Sequence, residues 1–173
     1  MYKHHVFKHI RYLLMMAMLL ISSVIFGANQ ADAILGVWTT QDGKARVEIV
    51  QQNGLYLGQI VWLKEPLYPA DDDQGMSGKA KVDRMNPDAS LKTRPIIGLP
   101  LVNGFHYAGA DAWTGGTIYD PESGKTYSCK ISLMSDGALR VRGYVGILLF
   151  GRTEIWQRYM AGTAMPAATA KTQ

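Results

Sequence analysis

The sequence predicts an all-β fold: a single antiparallel up-and-down β-barrel of about eight strands, with one long capping loop that contains a short helix. Three observations lead there. First, stretches such as Ala45-Arg46-Val47-Glu48-Ile49-Val50 and Leu139-Arg140-Val141-Arg142 alternate strictly, the period-two pattern of strands buried on one face. Second, turn signals separate these stretches: Asp42-Gly43, Asn53-Gly54, Asp120-Pro121-Glu122-Ser123-Gly124 and Asp136-Gly137. Asn-Gly and Asp-Gly tolerate the positive φ that tight hairpins require. Third, most connections are short, so neighbours in sequence pair in space. A sheet of about eight strands closes to remove its exposed edges, and encloses room for side chains or for one small ligand.

Taken in order, residues 1–33 have the layout of a secretory signal peptide. Lys3, Lys8 and Arg11 precede an uncharged apolar run, Leu13 to Phe26, and Ala31-Asp32-Ala33 supplies small residues at the cleavage positions. The run is shorter than the roughly 20 residues of a membrane span. Cleavage after Ala33 and a periplasmic or secreted location are therefore expected, with no stable membrane insertion afterwards. A lipid anchor would need a cysteine at the cut, and the only cysteine is Cys129. The 140 residues that remain make one domain. Their net charge is +2, against +4 for the whole chain, which gives no basic surface for nucleic acid.

The strands are expected near 35–40, 45–52, 55–63, 105–112, 115–120, 125–134, 138–145 and 152–159. They form a barrel domain over 34–160, followed by a flexible tail, 161–173. Between the third and fourth strands, residues 64–104 lose the alternation and hold five of the seven prolines. Asn86-Pro87-Asp88 resembles a helix start, with Asn86 as the cap and Pro87 in the first turn. Ile96, Ile97, Leu99, Leu101 and Val102 argue that this segment packs as a cap.

Chemistry is sparse. After the leader only His106 remains among the four histidines, and no nucleophile signature accompanies it. No catalytic residue is assigned. Asp71-Asp72-Asp73-Gln74-Gly75 lacks the alternating ligands and terminal Glu of a calcium loop, so it reads as a solvated loop; no metal and no cofactor are expected. Cys129 alternates in phase with Tyr127, Ile131 and Leu133 and reads as a buried small hydrophobe.

Two resemblances add to this reading. Gly36-Val37-Trp38 on the first strand and Arg158 on the last resemble the lipocalin and calycin pattern. In that pattern a tryptophan plugs the closed end of the barrel and a cation lies over its face. Gly36, Trp38 and Arg158 are therefore expected to close the barrel. More specifically, Asp83-Arg84-Met85-Asn86-Pro87-Asp88, Leu91-Lys92-Thr93-Arg94-Pro95-Ile96-Ile97-Gly98-Leu99, Gly115 to Tyr127, Leu139 to Gly146 and Gly151-Arg152-Thr153-Glu154-Ile155-Trp156-Gln157-Arg158 resemble the bacterial domain of unknown function family 2147. That resemblance implies an exported lipocalin-like barrel of a Gram-negative periplasm, and no activity.

A small apolar or amphipathic ligand is the expected partner, because aromatic side chains at barrel mouths form the usual apolar pocket. Trp62, Tyr107, Trp113 and Tyr144 are the expected lining. Arg94 and Arg152 are the cations that could hold an acidic head group, or could pair internally with Asp83, Asp88 or Glu154. Two other readings stay open: an envelope module with a solid core that binds another protein, and a hydrolase or isomerase on the same barrel.

Overall fold

The computed structural model describes residues 30–146 and 151–162. Most of the expected signal peptide, and the expected tail from residue 163 onward, thus lie outside the described residues. The chain divides after Ile34. Before the division a 3-10 turn spans Asp32–Ile34; the barrel follows.

Eight strands form a closed antiparallel barrel in sequence order. They are β1 (Gly36–Thr39), β2 (Ala45–Gln52), β3 (Leu55–Leu63), β4 (Pro100–Gly109), β5 (Ala112–Asp120), β6 (Lys125–Leu133), β7 (Leu139–Tyr144) and β8 (Gly151–Arg158). Closure comes from β1 against β8, where Trp38 pairs with Arg158 and Thr39 with Gln157. The connections β1–β2, β3–β4 and β5–β6 gather at one end, the mouth, where β7 ends and β8 begins; β2–β3, β4–β5 and β6–β7 gather at the other.

The β4–β5 hairpin departs from the sequence expectation. Its turn is Ala110-Asp111, at φ 49° and 54°, the positive φ at both central residues that a tight type I′ hairpin needs. The gap expected at 113–114, between strands 105–112 and 115–120, lies inside β5 instead, as do Gly115 and Gly116. A Cβ on Gly116 would run into the Phe105 ring across the ladder, so the missing side chain makes room for an aromatic neighbour. With the turn moved, β4 begins at Pro100, the strand-start position a proline tolerates.

Residues 64–99 cross the mouth as a strap. Two isolated bridges, Leu67 with Ala80 and Val82 with Pro95, fold it on itself, and it presents buried Tyr68, Ile96 and Leu99. Its only helical turn is the 3-10 segment Ala89–Leu91. Asp88, not Asn86, caps that turn, accepting from the Ser90 amide at 2.9 Å. Asn86 is displaced from the expected role because its Nδ2 donates to buried Asp83 at 2.8 Å.

The core fills the half of the barrel away from the mouth. Trp38, Phe105 and Trp113 are fully buried there with Val47, Ile131 and Leu139. The Trp113 ring meets Tyr56 edge-on at 6.3 Å and Tyr107 at 5.3 Å, geometries that aromatic pairs favour.

Candidate functional site

The mouth half is hollow. A cavity of about 940 Å³ opens between the strands under the strap. Its floor and walls are apolar: Ile60, Leu101, Ile118, Val141, Tyr127 and Trp156, with Tyr68 and Ile96 of the strap above. The space exists partly because Gly143 faces it without a side chain; a Cβ there would lie 3.3 Å from Ile118.

Charged groups ring the entrance, and most are paired. Lys44 lies 3.3 Å from Asp42 and 3.8 Å from Glu122. Lys81 lies 3.9 Å from Glu65, and Arg84 donates to Asp72 at 2.8 Å. Asp72 also accepts from the Gln74 and Met76 amides; the Met76 amide, together with Arg84, holds its carboxyl below the usual carboxylate range. The acidic run therefore does not read as one solvated loop: the Asp72 side chain is only 3% exposed and organises its own turn.

On β8 the inward row is Arg152, Glu154, Trp156. The Trp156 indole N–H donates to Glu154 at 3.0 Å, and Arg152 lies 3.3 Å from the same carboxylate.

A second cluster pins the strap to the outside of the barrel. Asp83 is fully buried. It accepts from Tyr119 Oη of β5 at 2.6 Å, from Asn86, and from Nε and Nη2 of Arg94 at 3.2 and 2.9 Å. Burial and the neighbouring Asp83 carboxylate push the Tyr119 phenol up to about 12. A shallower groove of about 330 Å³ runs beside this cluster, past Arg94, Asn103 and Thr117.

Of the six residues expected at a ligand site, Tyr144 and Arg152 line the cavity. Arg94 is in the Asp83 cluster. Trp62 lies under the Arg46 guanidinium at 4.2 Å; the opposite partner of that cation is Tyr159 at 3.7 Å. Tyr107 and Trp113 are at the closed end. At that end the structure also brings together Gly36, Trp38 and Arg158. The guanidinium is 4.2 Å from the Trp38 ring centroid and donates to the Leu35 carbonyl at 2.9 Å, and a Cβ on Gly36, at φ 113°, would crowd it at 3.2 Å.

The sequence offered Asp83 and Glu154 only as internal partners for Arg94 and Arg152, pairs that form at 2.9 and 3.3 Å, and it gave Trp156 no place at the site. As cavity residues, Glu154 and Trp156 were accessible from period two, since they alternate with Arg152 on one strand face. The role of Asp83 as the centre of a cluster carried no local signal, because its partners are scattered from residue 86 to 119.

The remaining chemistry is quiet. Cys129 is buried, and burial pushes its thiol up to about 12, far from the thiolate that redox or metal chemistry uses. His106 is exposed on β4 and lies 3.3 Å from the Thr114 hydroxyl. Among the described residues, no cluster of three His, Cys, Asp or Glu side chains could hold a metal ion, and no helix is long and apolar enough to cross a membrane.

Comparison with known proteins agrees with the architecture. The model of a family described as "Uncharacterized protein conserved in bacteria (DUF2147)" matches residues 36–158. No curated protein matches the chain. Among solved structures, protein HP1028 of Helicobacter pylori, described as belonging to the lipocalin family, is similar with a TM-score of 0.61. The identity is 24%, over 74% of this chain and 84% of that one. This likeness shows a lipocalin-like fold.

Proposed function

The chain belongs to the DUF2147 family, and from that footing we propose that it is an exported barrel protein that binds a small apolar or amphipathic ligand in the cavity at its mouth. The observation that carries this reading is the division of the barrel into a packed half and a hollow half. A cavity of about 940 Å³ has the size of sites that take one small molecule, and its apolar floor lies below a charged rim. The lipocalin-like fold is compatible with such a role. Export is supported by the basic start, the apolar run and Ala31-Asp32-Ala33.

The test is native mass spectrometry of protein purified from the envelope fraction of its own host, before and after organic extraction. A reproducible extra mass that extraction removes is expected. A clean apo mass, together with failure to take up fatty acids, phospholipids or fluorescent apolar probes, would end the reading. An envelope interaction module would then lead, since Leu67, Met85 and Ile97 stand about half exposed on the strap.

A further inference from the structure

The inward row of β8 sets what kind of polar head this cavity accepts, an inference that rests on the ligand-binding reading above. Among the described lining residues there are five cations (Lys44, Lys64, Lys81, Arg84, Arg152) and six carboxylates (Asp42, Glu65, Asp72, Asp120, Glu122, Glu154). They are not placed alike. Five of the carboxylates are on the strap, in the turns or at a strand end, and Asp120 is occupied by its own turn, accepting from the Glu122 amide and the Ser123 hydroxyl. Glu154 alone stands within a strand, between Arg152 at the rim and fully buried Trp156 below.

The surroundings of that carboxylate are asymmetric. From below, the Trp156 N–H fixes it with one hydrogen bond, which leaves acceptor capacity on a group with about four lone-pair directions. From above, the cation paired with it among the described residues is Arg152, whose side chain is 84% exposed; such an exposed pair is weak and easily exchanged. Of the other cations, Arg84 is tied to Asp72, Lys44 to Asp42 and Glu122, and Lys81 to Glu65. Lys64 follows β3 and is exposed at the rim. Ile60, Leu101 and Ile118 line the same cavity as Glu154, so an alkyl chain lying against them can present a cationic head group to a carboxylate with acceptor capacity to spare.

We propose that the cavity selects amphiphiles with a cationic, amine-type head, and that Glu154 is the specificity-determining residue. The experiment is displacement of N-phenyl-1-naphthylamine from the full chain at neutral pH. The competitors are dodecylamine, dodecanol and dodecanoate, each below its critical micelle concentration. The expected order is amine, then alcohol, then carboxylate, with about five- to tenfold between the ends, the range of one partly exposed charge pair. Glu154→Gln, which keeps an acceptor for the Trp156 N–H, should flatten the order. Arg152→Gln, at an exposed side chain, should widen it, and decides the matter should Glu154→Gln fail to fold. Dodecanoate binding as tightly as dodecylamine, or an order indifferent to both substitutions, overturns the proposal while leaving a ligand-binding barrel. Failure of all three to displace a bound probe, or of the probe to bind at all, removes the cavity reading and this inference with it.

Discussion

Asp83 shows how one side chain can hold two parts of a molecule together. It is fully buried, and its hydrogen-bond donors come both from its own strap and from β5 of the barrel. A buried charge is tolerated only when paired, so the cost falls on whatever breaks the cluster. Asp83→Asn removes the charge and leaves Arg94 without its carboxylate. The side chain of Arg94 is about a third exposed, so water recovers part of the loss, and we expect a destabilisation of about 2–3 kcal/mol in urea unfolding. Tyr119→Phe should lose about 1.5 kcal/mol, one hydrogen bond to a charged group. Its pH dependence has a definite sign. The folded phenol is raised to about 12 against an unfolded value near 10. Its contribution is therefore fully present below about pH 10 and is lost as pH rises through about 12. Wild-type stability should fall more steeply across that window than that of Tyr119→Phe; parallel slopes in stepwise urea titrations would contradict this. The Arg94–Asp83 pair was among the partners the sequence offered, but the Tyr119 arm was not legible, because a carboxylate 36 positions from its tyrosine partner leaves no periodic trace.

At the scale of elements, the strap and the hairpins reward close approach of backbone to backbone. Gly124, at φ 70° in the β5–β6 turn, sits where any Cβ would run into the Met85 carbonyl of the strap. Gly137 of the β6–β7 turn has a similar φ, 82°, with nothing within 4 Å. Gly137→Ala should thus cost only the left-handed backbone, about 1–2 kcal/mol. Gly124→Ala should cost more and should also lower hydrogen-exchange protection around residues 83–95. Equal costs for the two, or protection unchanged, would mean that the turn does not seat the strap. The sequence placed both of these turns correctly, because Asp-Gly and Pro-Glu-Ser-Gly are local chemistry. It placed the β4–β5 turn at 113–114 rather than at Ala110-Asp111, because Ala-Asp is not one of the Asn-Gly or Asp-Gly pairs that mark a tight hairpin. Within β5, Gly116 is a gap left for Phe105.

For the molecule as a whole, the consequence is a barrel that is half core and half vessel. Ile118 faces the hollow part opposite Gly143, so Ile118→Trp should occupy the space while leaving the packed half intact. Probe binding is expected to fall by at least about tenfold, with little change in the melting temperature of the free protein. Ligand at 100 times its dissociation constant should stabilise the wild type by about 2.7 kcal/mol and the variant hardly at all. A thermal shift that survives in Ile118→Trp would place the ligand elsewhere, with the groove beside Arg94 the next position to test.

Strand number, order and most of the turns were determined by the sequence alone, because period-two alternation and Asn-Gly or Asp-Gly pairs act over a few residues and need no distant partner. The pairing of Trp38 with Arg158 was implied by the resemblance to the lipocalin and calycin pattern, whereas closure of the meander by itself brings together only the first and last strands. Depth along the barrel axis was decided only in the tertiary structure. Alternation assigns a tryptophan to a face but not to a level. Trp113 thus lies in the packed end, Trp62 is stacked under Arg46, and Trp156 forms the cavity floor. The level of each side chain depends on strand stagger and on which facing positions are glycine, as at Gly116 and Gly143, and those are properties of neighbours far away in the chain.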